Sequence, residues 1–313
     1  MTRVLLAVLL LAGCASFPRR MEYAAGSSAA MNGARMDHSV FVPRDLRDDE
    51  ALPLVVFLHG GGDSHDALDR HGISARLDRA MAEGRVPRAV IVLPNGELGF
   101  WANWRDGSRR YEDWVVDELV PEVRERYHTL ACPEGCHVMG VSMGGSGALA
   151  MAHHRPDRFS TVTAISAPVL NTEQMIDFVE DRFLSIFIPT HRIFGEPSRA
   201  RIERDDLFLR WTSPESTGLR SIVLAWGDED RGAIVSSNRA FSRHLTEHRI
   251  EHEAWQYEGG HAWVAWAPII ERALWHALPR ARPSGAAAPS SRRSPSPALR
   301  ERWTATLGVP RAR

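Results

Sequence analysis

The chain contains no lysine. All 38 of its strongly basic residues are arginine, and the 39 Asp and Glu leave a formal net charge of −1 at pH 7. A GC-rich coding genome accounts for that bias without any chemical reason. So nearly neutral a chain has no general electrostatic pull on nucleic acid. Cysteine is scarce too, with three residues in 313. Cys132 and Cys136 lack a second Cys/His cluster at zinc-finger spacing, which argues against a zinc site. A local disulfide and two free thiols both stay open. The N-terminal apolar run, residues 4–11, is too short to span a bilayer. Core-forming material is plentiful: 44% of residues are hydrophobic against 25% charged, and the length suits one domain better than two.

The chain is organised around Gly140-Val141-Ser142-Met143-Gly144, followed by Gly145. Residues 137–141 are apolar and predict a short buried strand. Residues 144–153 are mostly small and predict a helix. Between them the backbone must turn sharply and present Ser142 at the strand tip. The flanking glycines remove the Cβ atoms that would collide in such a turn. The N–H of Met143 then opens the helix and points where an anionic oxygen would sit. A G-x-S-x-G match also arises by chance, so its partners decide. Upstream, Leu54-Val55-Val56-Phe57-Leu58 reads as a buried strand ending in His59-Gly60-Gly61-Gly62. Downstream, residues 222–226 end in Gly227-Asp228-Glu229-Asp230, and Trp255-Gln256-Tyr257 leads to Gly259-Gly260-His261. Each group lies just past the C-terminal end of a predicted strand, where open α/β sheets keep their sites, in the order Ser, Asp, His.

These residues, with Tyr111-Glu112-Asp113-Trp114, Glu118-Leu119-Val120-Pro121, Asn238-Arg239-Ala240-Phe241 and Ala262-Trp263, carry a resemblance to a known family. The chain resembles the esterase family of α/β-hydrolases that includes esterase D, feruloyl and acetyl-xylan esterases, enterochelin esterase and the antigen 85 acyltransferases. The resemblance covers residues 37–278. It implies an α/β-hydrolase fold, a mostly parallel central sheet with helices on both faces. It implies Ser142 as nucleophile, His261 as base and an acid in a Gly-x-x-Asp arrangement, which selects Asp230, with Asp228 as the alternative. The oxyanion hole falls to the N–H groups of Gly61 and Met143. No cofactor and no metal are expected. The aromatic loop 99–104 borders the acyl pocket in related esterases, which nominates Trp104 for substrate binding, with Trp263 beside the base; Trp101 reads as loop packing. The substrate is then a small-molecule or carbohydrate-linked ester. An acyltransferase with the same triad, or a non-catalytic binding protein on the same fold, are the alternatives.

The ends carry other signals. Residues 1–13 read as an export signal, and Leu11-Ala12-Gly13-Cys14 resembles the bacterial lipobox. That likeness implies a lipid on Cys14, a membrane anchor and a periplasmic location; Ala15 points to the outer membrane. Residues 14–36 suit a tether, and the Pro-, Arg- and Ser-rich stretch 279–313 suits a disordered tail. Within the domain, residues 39–43, 89–93 and 161–166 predict strands. Residues 111–127 predict a helix kinked or broken at Pro121, and 175–183 and 201–211 predict helices in a segment that serves as either a lid or a crossover layer. His244-Leu245-Thr246-Glu247-His248 matches H-x-x-E-H, and a solvated helix face is the expected reading.

Overall fold

The computed structural model describes residues 21–196 and 205–278. Its strands are β1 (Met21–Ser27), β2 (Arg35–Phe41), β3 (Leu54–Leu58), β4 (Val90–Pro94), β5 (Cys136–Val141), β6 (Thr161–Ile165), β7 (Ser221–Gly227) and β8 (Glu253–Tyr257). They form one sheet in the order β1-β2-β4-β3-β5-β6-β7-β8. From β4 to β8 every pairing is parallel; β1 and β2 extend the β4 edge in antiparallel fashion.

The central strands are continuous apolar runs because both of their faces are covered. In β3, Leu54, Val56 and Leu58 join one core cluster and Val55 and Phe57 the other. The principal helices are α1 (Ile73–Ala82), α2 (Val120–Tyr127), α3 (Met143–His154), α4 (Thr172–Glu180), α5 (Gly232–Glu247) and α6 (Trp263–Ala277). Apolar residues of α1 and α6 pack with Val55 and Phe57, and those of α2, α3 and α5 pack with Leu54 and Val56. Helices therefore line both faces, as expected of a mostly parallel sheet.

Three expectations need correction. Residues 21–36 are not a tether. They form β1, paired with β2 from Met21↔Phe41 to Ser27↔Arg35, and a turn that buries Ala30 and Met31. Sheet pairing at an edge satisfies the backbone of this small-residue stretch although its side chains advertise no core. Residues 1–20, including Cys14, and the tail 279–313 lie outside the described residues. The second correction concerns Pro121: of the kink or break expected there, the break does not occur, and residues 111–127 stay helical throughout. Residues Trp114–Leu119 adopt π-helical turns and pass without a gap into α2, which carries Pro121 near its start. Pro121 has no N–H to offer the carbonyl one turn back, and the wider turns before it leave room for the ring. The third is the stretch 201–211: residues 201–204 lie outside the described residues, and from 205 to 211 only Leu207–Arg210 is helical, with Asp206 accepting from the Phe208 N–H at 2.8 Å as its cap. Cys132 and Cys136 are joined in a disulfide.

Candidate active site

Ser142 sits between β5 and α3 with φ 54° and ψ −123°, a conformation few L-residues adopt. Close packing enforces it. A Cβ on Gly140 would stand 2.2 Å from the Gly144 carbonyl oxygen, and one on Gly144 would stand 2.0 Å from the Leu58 oxygen. Only glycine lets the elbow fold over the end of β3. The Ser142 N–H donates to the Ile165 carbonyl at 2.8 Å, tying the turn to β6.

The side chains that follow β7 and β8 meet Ser142 here. Ser142 Oγ lies 2.8 Å from His261 Nε2, and His261 Nδ1 lies 2.9 Å from Asp230 Oδ1. The Asp230 side chain is fully buried and that of His261 is 12% exposed. Burial lowers the His261 pKa below its ordinary 6.5, with the Asp230 carboxylate pulling the other way. Asp228 takes no part in this contact: it is exposed, and its Oδ1 accepts from the Gly259 N–H at 2.8 Å, bracing the loop before His261.

Asp230 is fixed by groups that have no recognisable motif. Its Oδ1 also accepts from the Arg231 N–H at 2.7 Å, and its Oδ2 accepts from Ser166 Oγ at 2.5 Å. Ser166 is wholly buried, with φ 51° just past the end of β6. Its hydroxyl accepts in turn from Trp266 Nε1 at 3.0 Å and meets the Tyr257 hydroxyl at 2.8 Å. Burial pushes the Tyr257 phenol up to about 12, which keeps it protonated. Trp266 also sets its ring edge-on to His261, centroids 4.9 Å apart. The only sequence signal for Ser166 was its place at the tip of a predicted strand.

On the other flank, His59 is buried. Its Nε2 accepts from the Gly96 N–H at 3.0 Å and its Nδ1–H donates to the Gly60 carbonyl at 2.8 Å, so the ring locks the glycine loop to the end of β4. Burial lowers its pKa, in keeping with a neutral ring. The N–H groups of Gly61 and Met143 meet no acceptor among the described residues.

The tryptophans nominated for substrate contact are each held by neighbouring groups. Trp104 donates to the Gly99 carbonyl at 3.3 Å and lies 5.0 Å beneath the Arg192 guanidinium. Trp263 donates to Asp63 at 3.0 Å and stacks on His71 at 4.7 Å. These partners hold both rings to the protein, and neither lines the apolar cavity beside α3. Trp101 does line it; its Nε1 donates to the His59 carbonyl at 3.3 Å, and the ring packs on Gly147. On α5, His244 Nε2 donates to the Trp211 carbonyl and His248 Nδ1 to the His244 carbonyl, each at 2.9 Å. Among the described residues no group of three or more His, Cys, Asp or Glu is placed to hold a metal.

A mostly parallel sheet flanked on both faces, with a serine elbow and an Asp–His pair at the C-terminal ends of its parallel strands, is an α/β-hydrolase fold. The chain belongs to the Esterase family, whose model matches residues 28–277. Esterase Rv1288 of Mycobacterium tuberculosis H37Rv is 26% identical over 241 residues, 71% of this chain and 52% of that protein, so the chain spans about half its length. The acetyl esterase of Caldicellulosiruptor saccharolyticus is 24% identical over 232 residues, 72% of this chain and 84% of that one. Among solved structures, a ferulic acid esterase matches with a TM-score of 0.68 at 18% identity, covering 82% of this chain and 97% of that one. MPT51 of Mycobacterium tuberculosis matches at 0.65 and 17% over the same shares. At such identities the likeness is one of fold.

Proposed function

We propose that the chain is a serine carboxylic-ester hydrolase acting through an acyl-enzyme on Ser142. The observation that carries this is the continuous path from Ser142 Oγ through His261 to Asp230, with contacts of 2.8 and 2.9 Å. A serine hydroxyl is a weak nucleophile at neutral pH without a base. His261, with its pKa lowered by burial, is neutral at pH 7 and takes the proton as Oγ bonds to the ester carbon. The carbonyl π pair moves onto oxygen, which the free N–H groups of Gly61 and Met143 receive; one such donor is typically worth about 3 kcal/mol. The bond to the alcohol then breaks, and His261 returns the proton to the departing oxygen. Water enters by the same route and releases the acid. Asp230 keeps the proton of neutral His261 on Nδ1 and balances the imidazolium charge.

The relatives named for acetyl and ferulic esters support a carboxylic ester as the substrate. The test is a fluorophosphonate probe with p-nitrophenyl acetate as substrate. Wild type should label and turn over, and Ser142→Ala should do neither. A folded wild type that does neither would overturn the proposal in favour of a binding protein. The sequence Leu11-Ala12-Gly13-Cys14 further supports export and a lipid anchor on Cys14 in the periplasm, at the outer membrane. Cys14→Ser should move the protein from the membrane to the soluble fraction; unchanged fractionation would count against the anchor.

A further inference from the structure

A cavity of about 490 Å³ begins one helical turn beyond the nucleophile and does not contain the triad. Its floor is one face of α3, at Ser146, Ala150 and His154, positions i, i+4 and i+8. At 1.5 Å per residue this floor is about 12 Å long from Ser146 to His154 and leads away from Ser142. The facing wall is a cluster of Phe100, Phe178 and Phe194, with ring centroids 5.4 to 6.0 Å apart. The volume lies within the roughly 300–1,000 Å³ usual for small-molecule pockets.

The polar groups at its two ends are already engaged. At the near end Ser146 Oγ donates to the Pro168 carbonyl at 2.8 Å. At the far end His154 Nδ1 pairs with Glu112 at 2.7 Å, and Arg105 pairs with Asp205. What remains on offer to a ligand is chiefly apolar surface. A sugar or another polyhydroxylated group would lose hydration there without replacement, whereas a hydrocarbon gains by leaving water.

We propose that this cavity receives the acyl group of the ester, and that the preferred substrates carry an apolar acyl chain several carbons long rather than acetyl. The inference rests on the acyl-enzyme reading above: the chain on Ser142 Oγ runs along α3, past Ser146 and Ala150, under the phenylalanine cluster. The alcohol leaves on the side of His261, which protonates it. Selectivity then resides in α3, in Phe100, and in the segment bearing Phe178 and Phe194.

The experiment is a series of p-nitrophenyl esters from acetyl to decanoyl, with wild type, Ala150→Phe and Phe178→Ala. Each buried methylene is worth about fourfold in transfer equilibrium, so hexanoyl should exceed acetyl in kcat/KM by about tenfold or more. Ala150→Phe fills the floor and should cut the hexanoyl-to-acetyl ratio by about tenfold. Phe178→Ala acts from the opposite wall and should move the optimum to longer chains, which keeps the test alive should Ala150→Phe fail to fold. A wild type that favours acetyl, or ratios that no folded variant moves, overturns the proposal. Fluorophosphonate labelling of wild type in the same experiment separates that failure from a failure of the esterase reading.

Discussion

Exchanging Asp230 for Asn tests the site where its chemistry and its geometry make separate demands. The two oxygens of Asp230 face different donors: Oδ1 meets the Arg231 N–H at 2.7 Å and the His261 Nδ1–H at 2.9 Å, and Oδ2 meets the Ser166 hydroxyl at 2.5 Å. In Asp230→Asn the amide NH₂ avoids the Arg231 and His261 donors and turns to Ser166, whose oxygen is able to accept. The carbonyl oxygen still accepts from His261, so the tautomer survives and the loss is that of the negative charge. A unit charge about 4 Å from the imidazolium, at an effective dielectric constant of about 20, is worth about 4 kcal/mol. That is roughly a thousandfold in rate. If the amide flips and forces the other tautomer, the loss grows to about 10⁴. The assay is steady-state hydrolysis of p-nitrophenyl esters, with circular dichroism to certify folding. Asp228→Asn is the control. It keeps the oxygen that accepts from the Gly259 N–H at 2.8 Å, so it should fall within about threefold of wild type, as surface exchanges of small free-energy effect do. The reverse ranking, or a folded Asp230→Asn within tenfold of wild type, would refute the assignment.

Other expectations test the surroundings. Ser166→Ala removes the donor to Asp230 Oδ2 and the acceptor for Trp266 Nε1; a hydrogen bond to a charged group is worth about 1.5–3 kcal/mol, so kcat should fall about 10- to 100-fold with KM nearly constant. A variant with wild-type kcat would make Ser166 mere packing. His261 must be neutral to act as base, and burial lowers its pKa, so kcat/KM should rise with pH and reach half its plateau below pH 6.5. A half-point above pH 7 in a pH–rate profile would refute that environment. Gly144→Ala drives a Cβ to within 2.0 Å of the Leu58 oxygen, and melting should show a Tm lower by about 10 °C or more; an unchanged Tm would refute the close approach.

The parts of the fold legible in the sequence are those whose cause is local. Leu54–Leu58 and Cys136–Val141 are buried on both faces, so they are written as unbroken apolar runs. The glycines around Ser142 are visible because the elbow tolerates nothing larger. By contrast, β1 reads Met-Glu-Tyr-Ala-Ala-Gly-Ser and lies at a sheet edge, where little side-chain burial is needed, so it resembles a linker. Pro121 signals a break, but the π-helical turns that absorb it depend on packing around Trp114 and Val115. Choosing between Asp230 and Asp228 needs three dimensions, because both follow β7 within a few residues. Ser166 gains its place only when the ends of β6, β7 and β8 converge. The cavity is assembled from segments near residues 100, 150, 175 and 194, which no short window of sequence contains.

The early start of β1 sets how an anchored molecule would behave. Met21 is already paired in the sheet, and seven peptide units separate it from Cys14, a span of at most about 25 Å. Were Cys14 to carry a lipid, a body held that short would not roam the compartment. It would stay within a thin shell at the bilayer, and its catalytic mouth would meet the esters that come to the surface.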